Sequence, residues 1–208
     1  LSTVPAISDP VPVAGDFHQR LPVTVKDHEG NSVTVTDTSR ILALDINGTL
    51  SRTVIALGYG DKLVGRTVSS TEKRLASLPV VTQSGHQLNA ESIIALKPSV
   101  ILADRSVGPP EAIDQLKATG IPVMLVDSHR SVASAGTLIK TIAHALGADD
   151  AGTALAKRTD GEIAAAKRQI AQWAPKQKLD VAFLYVRGTA GIFFILGKDD
   201  GATELIEG

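Results

Sequence analysis

The chain has 208 residues, 43% of them hydrophobic, which is enough for a packed core and sets the expectation of one large domain or two lobes. A formal net charge of −1 gives no electrostatic case for nucleic acid, and no apolar run approaches the roughly 20 residues of a membrane span. With no cysteine there is no disulfide, thiolate metal site or thiol nucleophile.

Residues 1–22 read as an extended arm, rich in proline and small side chains. Its start, "LSTVPAISDPVPVAG", lacks the basic residues and apolar stretch of a signal peptide and reads as a mature or trimmed beginning. "LPVTVKD" and "NSVTVTD" alternate β-branched and polar residues around "HEGN", the pattern of a hairpin. "RILALD" is a short buried strand. Asn47-Gly48-Thr49 opens a helix in which Leu50, Val54 and Leu57 keep helical spacing until Gly58 and Gly60. "KLVGRT" reads as a further strand.

Alternation then sets in. "NAESIIALKP" is a short helix with Asn89 as cap, and "SVILAD" is a strand. "PPEAIDQLKATG" is a helix with proline at its start and Gly120 at its end, and "IPVMLVD" is a strand. "SVASAGTLIKTIAHALG" is a helix ended by Gly147. Strand and helix in turn predict parallel βαβ units, a lobe over residues 23–148. Residues 149–174 are dense in Ala, Glu, Lys, Arg and Gln, and the spacing predicts one long helix despite Gly152 and Gly161. Such a helix is either an ordinary surface helix or a rod between two lobes. Residues 175–208 hold "LDVAFLYVRG", "GIFFILG" and "GATELIEG", read as the start of a second α/β lobe that is incomplete in this chain.

"ILALDINGTLSRTVIALGYGDKLVGRT", "NAESIIALKPSVILA" and "IDQLKATGIPVMLVD" together resemble cluster A (class III) ABC-transporter substrate-binding proteins. The resemblance covers roughly residues 38–208. It implies a two-lobed α/β periplasmic-binding-protein fold, its lobes joined by a single long helix where residues 149–174 lie. "SGHQLNAE" and "LYVRG" narrow the resemblance to haem-binding HmuT-type receptors of actinobacteria such as corynebacteria. That resemblance implies an extracytoplasmic, membrane-anchored lipoprotein that captures ferric haem b and delivers it to an ABC permease. Receptors for haemoproteins upstream are further expected partners. The same fold also serves cobalamin and ferric-siderophore receptors, the alternative reading.

Tyr185 and Arg187, two apart on a predicted strand, share one face. From spacing alone Tyr185 is a half-buried strand aromatic. The resemblance makes it the tyrosinate ligand of ferric iron, with Arg187 donating to its oxygen. His86 follows a glycine in a loop before a helix, where a capping role and a ligand role stand level; the resemblance makes it the second axial ligand. His18, His28, His129 and His144 read as solvated, capping or surface residues. Arg66 and Arg105 follow candidate strands and are candidates for the haem propionates, or are simply solvated. Tyr59 is a weaker ligand contact, with packing as its other reading. Glu72 and either Asp199 or Asp200 are candidate carboxylates for docking on the permease. For an enzyme there is no G-x-S-x-G, phosphate loop or H-E-x-x-H. "DINGT" lacks the second aspartate of a phosphatase's D-x-D-G-T, so no catalysis is expected.

Overall fold

The structure, a computed structural model, describes residues 8–83, 85–173, 182, 184–187 and 192–195, with backbone alone at 185–187 and 192–194. The expected hairpin forms from β1 (Val23–Lys26) and β2 (Ser32–Val35), with Val23 opposite Val35 and Lys26 opposite Ser32. Alternation turns Val25, Val33 and Val35 inward. Asp27 ties the turn, its carboxylate accepting from the backbone N–H groups of Glu29 (3.0 Å) and Asn31 (2.8 Å).

β3 (Ile41–Leu44), β6 (Val100–Ala103) and β7 (Val123–Leu125) pair in parallel in the order β3–β6–β7. Every residue of the three is buried, as a sheet covered on both faces requires. On one face Ile41, Ala43, Val100, Leu102 and Met124 meet α1 (Thr49–Ala56), α4 (Ala135–Ala145) and the root of α5 (Asp149–Ala171). On the other, Leu42, Leu44, Ile101, Ala103, Val123 and Leu125 meet α2 (Ala90–Ala95) and α3 (Pro110–Ala118). The strand period of two thus divides one run of apolar residues between two cores.

"KLVGRT" is not a regular strand. Leu63 makes one parallel bridge to Ile41 and Arg66 another to Val80, on different partners, so no ladder propagates. Gly65 between them is closely packed: a Cβ there would lie 2.8 Å from Leu96 Cδ1, which would have to shift. Two short strands not expected from sequence, β4 (Thr82–Gln83) and β5 (Gln87–Leu88), pair antiparallel on either side of the His86 turn. Asn89 caps α2 as expected, its side chain accepting from Ser92 N–H at 2.9 Å.

α5 is the 23-residue helix foreseen, about 34 Å long at 1.5 Å per residue. Ala151, Gly152, Leu155 and Ala156 bury its first two turns against α4. From Asp160 to its end every residue except the half-buried Ile163 is exposed. The arm lies along the lobe: Val13 N–H donates to Ala56 O, Arg20 N–H to Gly147 O, and Phe17 and Leu21 pack on the core. β8 (Leu184–Arg187) and β9 (Ile192–Ile195) form an antiparallel hairpin, Tyr185 opposite Phe194 and Arg187 opposite Ile192. The expected helix start "GATELIEG" lies outside the described residues.

Candidate ligand-binding site

Because β3, β6 and β7 run parallel, the loops that follow them gather at one edge of the sheet, where open α/β sheets bind ligands. Each strand leaves the core at an aspartate. Asp45 and Asp104 are fully buried, whereas Asp127 is exposed. Asp45 accepts from the N–H groups of Thr49 (2.8 Å) and Leu50 (3.3 Å), closing the N-terminus of α1. Asp104 accepts from Ser106 N–H at 2.9 Å and from its hydroxyl, and it is clasped by Arg130 Nη2. The same Nη2 stands 4.0 Å from Asp45 Oδ2. Ser106 Oγ in turn accepts from Ile46 N–H at 3.0 Å, so all three loops are stitched together. Burial pushes the Asp45 carboxyl up to about 6; the α1 N–H groups and Arg130 oppose this, and the neighbouring Asp104 charge adds to it.

On this rim lies an open cavity of about 450 Å³. His86, Arg105, Ser106 and the run Gly108–Pro110 are among its walls. Backbone bonds hold the two walls together: Gly108 N–H donates to His86 O (3.1 Å), and Leu88 N–H to Gly108 O (2.6 Å). His86 sits exposed in the tight turn between β4 and β5. Arg105 is tied to Glu29 at the tip of the β1–β2 hairpin, Nη2 at 2.5 Å and Nε at 2.7 Å from Oε1. Lys117 approaches the other oxygen of Glu29 at 3.3 Å. The Arg105 hydrogen bond, first, and Lys117 hold the Glu29 carboxyl below its ordinary range. Sequence reasoning thus found two walls of the pocket, His86 and Arg105. It missed Gly108–Pro110, visible in sequence only as a helix start, and Glu29, for which adjacency in sequence gives no signal.

Other expected site residues fall elsewhere. Arg66 turns its guanidinium onto its own loop, Nη1 near Thr67 O (3.5 Å) and Ser70 O (3.4 Å), with a buried, unpartnered Nε. Tyr59 takes the packing place that is its other reading. It follows α1, which runs back from the binding edge, and precedes Leu63, which bridges the first residue of β3; it is packed on the core, and burial raises its hydroxyl pKa. Glu72 is corrected as an exposed docking carboxylate: its side chain is 2% accessible and is paired with Arg52 at 3.1 Å. His18, His28 and His129 are exposed, and His144 Nδ1 lies 2.8 Å from Asp149. Tyr185 and Arg187 stand at alternate positions of β8, and their side chains lie outside the described residues, as do Gly188, Asp199 and Asp200. Among the described residues no cluster of three His, Cys, Asp or Glu could hold a bare metal ion.

Residues 46–208 match the family model described as periplasmic binding protein. The chain belongs to the periplasmic binding protein family. It is 30% identical over 189 residues to the ABC transporter substrate-binding lipoprotein YvrC of Bacillus subtilis (strain 168), covering 89% of this chain and 58% of that one. A stretch of 72 residues, 35% of this chain, is 42% identical to 26% of the vitamin B12-binding protein of Yersinia pestis (strain Pestoides F). Among solved structures, the haem-binding protein HmuT matches at 46% identity with a TM-score of 0.92 over 98% of this chain and 66% of its own. Three further HmuT structures carry alanine at an arginine, a histidine or a tyrosine. The periplasmic haem-binding protein RhuT of Roseiflexus sp. RS-1 matches at 32% identity with a TM-score of 0.73, over 82% of this chain and 64% of its own. The chain therefore spans less than two thirds of the length of these relatives. As a periplasmic-binding-protein α/β fold it shares its architecture with binding proteins of the extracytoplasmic space. Among the described residues no helix is long and apolar enough to cross a membrane.

Proposed function

We propose that this periplasmic binding protein captures ferric haem b between two lobes and delivers it to the permease of an ABC importer, without catalysis of its own. The observation that carries the reading is the likeness to HmuT over 98% of the chain, together with residue placement. In the HmuT variants the substituted tyrosine and arginine lie two residues apart, and the histidine precedes them by the interval that separates His86 from Tyr185 in this chain. On this reading residues 23–148 are the first lobe, 149–174 the connector and 175–208 the start of the second lobe, with 1–22 as the arm.

His86 supplies one axial ligand from the rim of the first-lobe pocket. Tyr185 supplies the other from β8 as a phenolate, the form ferric iron favours. Arg187, on the same face of the strand, donates to that oxygen and favours the ionised form further. Arg105 faces the propionates, whereas Arg66 and Tyr59 keep to the structural places described above. Docking falls to a carboxylate such as Asp199 or Asp200, with Glu72 the weaker candidate because its side chain is buried against Arg52. Anchoring by a lipid, as in the Bacillus lipoprotein, an actinobacterial source and haemoprotein receptors upstream complete the reading.

A second reading, cobalamin, rests on the 72-residue match to a vitamin B12-binding protein. Titration with ferric haem, followed by absorption and EPR, separates the two, with cobalamin run in parallel. The expected result is saturable haem binding with a tyrosinate charge-transfer band that is lost in Tyr185→Ala and a spectral change in His86→Ala. Saturable cobalamin binding with none for haem overturns the proposal in favour of the second reading.

A further inference from the structure

Arg105 is the cationic wall of the pocket, yet it sits on an exposed loop, where a long side chain is ordinarily free to sample many rotamers. Here it is not free. Glu29 Oε1 takes both Nε and Nη2, at 2.7 and 2.5 Å, which fixes one edge of the guanidinium. Nη1 has no hydrogen-bond partner among the described residues. Glu29 is itself fixed, because its N–H is bound by the buried Asp27 at 3.0 Å and its second oxygen is met by Lys117 from α3. Arg105 and Lys117 hold its carboxyl ionised well below neutral pH, so the clasp persists across the physiological range. The hairpin turn is also docked on the main sheet, His28 N–H donating to Leu125 O at 2.8 Å. A rigid hairpin therefore reaches across to one pocket wall and presents an arginine with one edge committed and one edge open.

We propose that Glu29 is a positioning residue: by holding one edge of Arg105 it presents the other as a recognition point for a carboxylate of the bound ligand. The inference rests on the haem reading above, in which the carboxylates are the two propionates. It assigns to the β1–β2 hairpin, which contributes no wall to the pocket, a part in ligand choice. Fork-like arginine recognition of a carboxylate depends on orientation as well as charge, so loss of the clasp weakens it even though Arg105 is still present.

The test compares ferric haem with its dimethyl ester, which has the same iron and ring but no free carboxylate. Wild type, Glu29→Gln, Arg105→Gln and the double variant are titrated with both. Arg105→Gln is expected to weaken haem about tenfold and leave the ester unchanged. Glu29→Gln is expected to weaken haem by roughly half that factor, again with the ester unchanged, and the double variant to be no worse than Arg105→Gln alone. Glu29→Asp, which keeps the charge, restores part of the loss. Equal loss for haem and ester, additive losses in the double variant, or tighter haem binding in Glu29→Gln each overturn the proposal; the last makes Glu29 a competitor for Arg105. If wild type binds neither ligand, the haem reading itself has failed; a wild type that binds both alike keeps that reading and overturns the carboxylate recognition proposed here.

Discussion

Asp45 faces a second buried carboxylate, Asp104, and the two share one cation, Arg130. Its ordinary value is 3.8 and its value in the fold about 6, so the folded state holds the proton more tightly than the unfolded chain. The resulting stabilisation is fully present below pH 3.8 and is lost as pH rises through about 6. It amounts to about 3 kcal/mol in all, of which about 2 kcal/mol falls between roughly pH 4.5 and 7.5. Asp45→Asn removes this titration but retains an acceptor for one α1 N–H group. The variant is therefore expected to be less stable than wild type at the acid end and to close the gap by about 2 kcal/mol towards pH 7.5. Urea unfolding of both proteins across that range checks it, and a gap independent of pH would show that Asp45 is ionised throughout. The aspartates themselves are plain in "LALD", "ILAD" and "MLVD". Which of them turns inward is not, because it depends on Arg130 returning from the loop after β7, a contact 26 residues from Asp104.

α5 shows the same separation between what composition fixes and what packing decides. Its extent was legible from a run without proline, but its two glycines look alike in sequence and do opposite things. Gly152 is buried where α4 crosses, and a Cβ there would lie 2.3 Å from the Cβ of Ala143. Gly161 is exposed with nothing within 4 Å. Gly161→Ala is expected to stabilise the chain by about 0.5–1 kcal/mol, through helix propensity and a less free unfolded chain. Gly152→Ala gains the same propensity but forces α4 and α5 apart, for a net loss of about 1–2 kcal/mol. Denaturant midpoints of the two variants decide it; a shift of the same sign in both would mean that α5 does not pack on α4 through Gly152. "KLVGRT" misled for a related reason. A short β-branched run reads as a strand whether or not one neighbour pairs with its whole length, and here Leu63 and Arg66 bond to different segments. β4 and β5, at two residues each, are too short to leave any periodicity.

At the scale of the molecule, the parallel sheet and the order of its helices followed from alternation of strand and helix patterns, and so did the edge at which the loops after the strands gather. Glu72 shows where that reasoning stops: a carboxylate between two turns reads as exposed, and only the fold reveals Arg52 closing over it. The arm is the other case. Its prolines mark it as extended, and extended chain at a terminus is ordinarily loose. Here its described part is bound from Asp9 to Arg20. Asp9 accepts from the N–H groups of Lys73 (2.8 Å) and Arg74 (3.0 Å), Val13 N–H donates to Ala56 O, and Arg158 of α5 donates to Val11 O (3.0 Å). It thus ties the root of α5 to the end of α1, on surfaces that include none of the walls of the His86 pocket. Deleting residues 1–14 removes these bonds and the packing of Val13 while leaving Phe17 and Leu21 in place. The loss expected is about 2 kcal/mol in unfolding free energy, with the haem affinity proposed above unchanged. Unfolding and haem titration of the shortened chain give two readings on one sample. Lower stability with intact binding identifies the arm as a brace for the lobe and helix; weaker binding with it would mean that the lie of α5 against the lobe is itself set by the arm and governs how the two proposed ligands, His86 and Tyr185, meet.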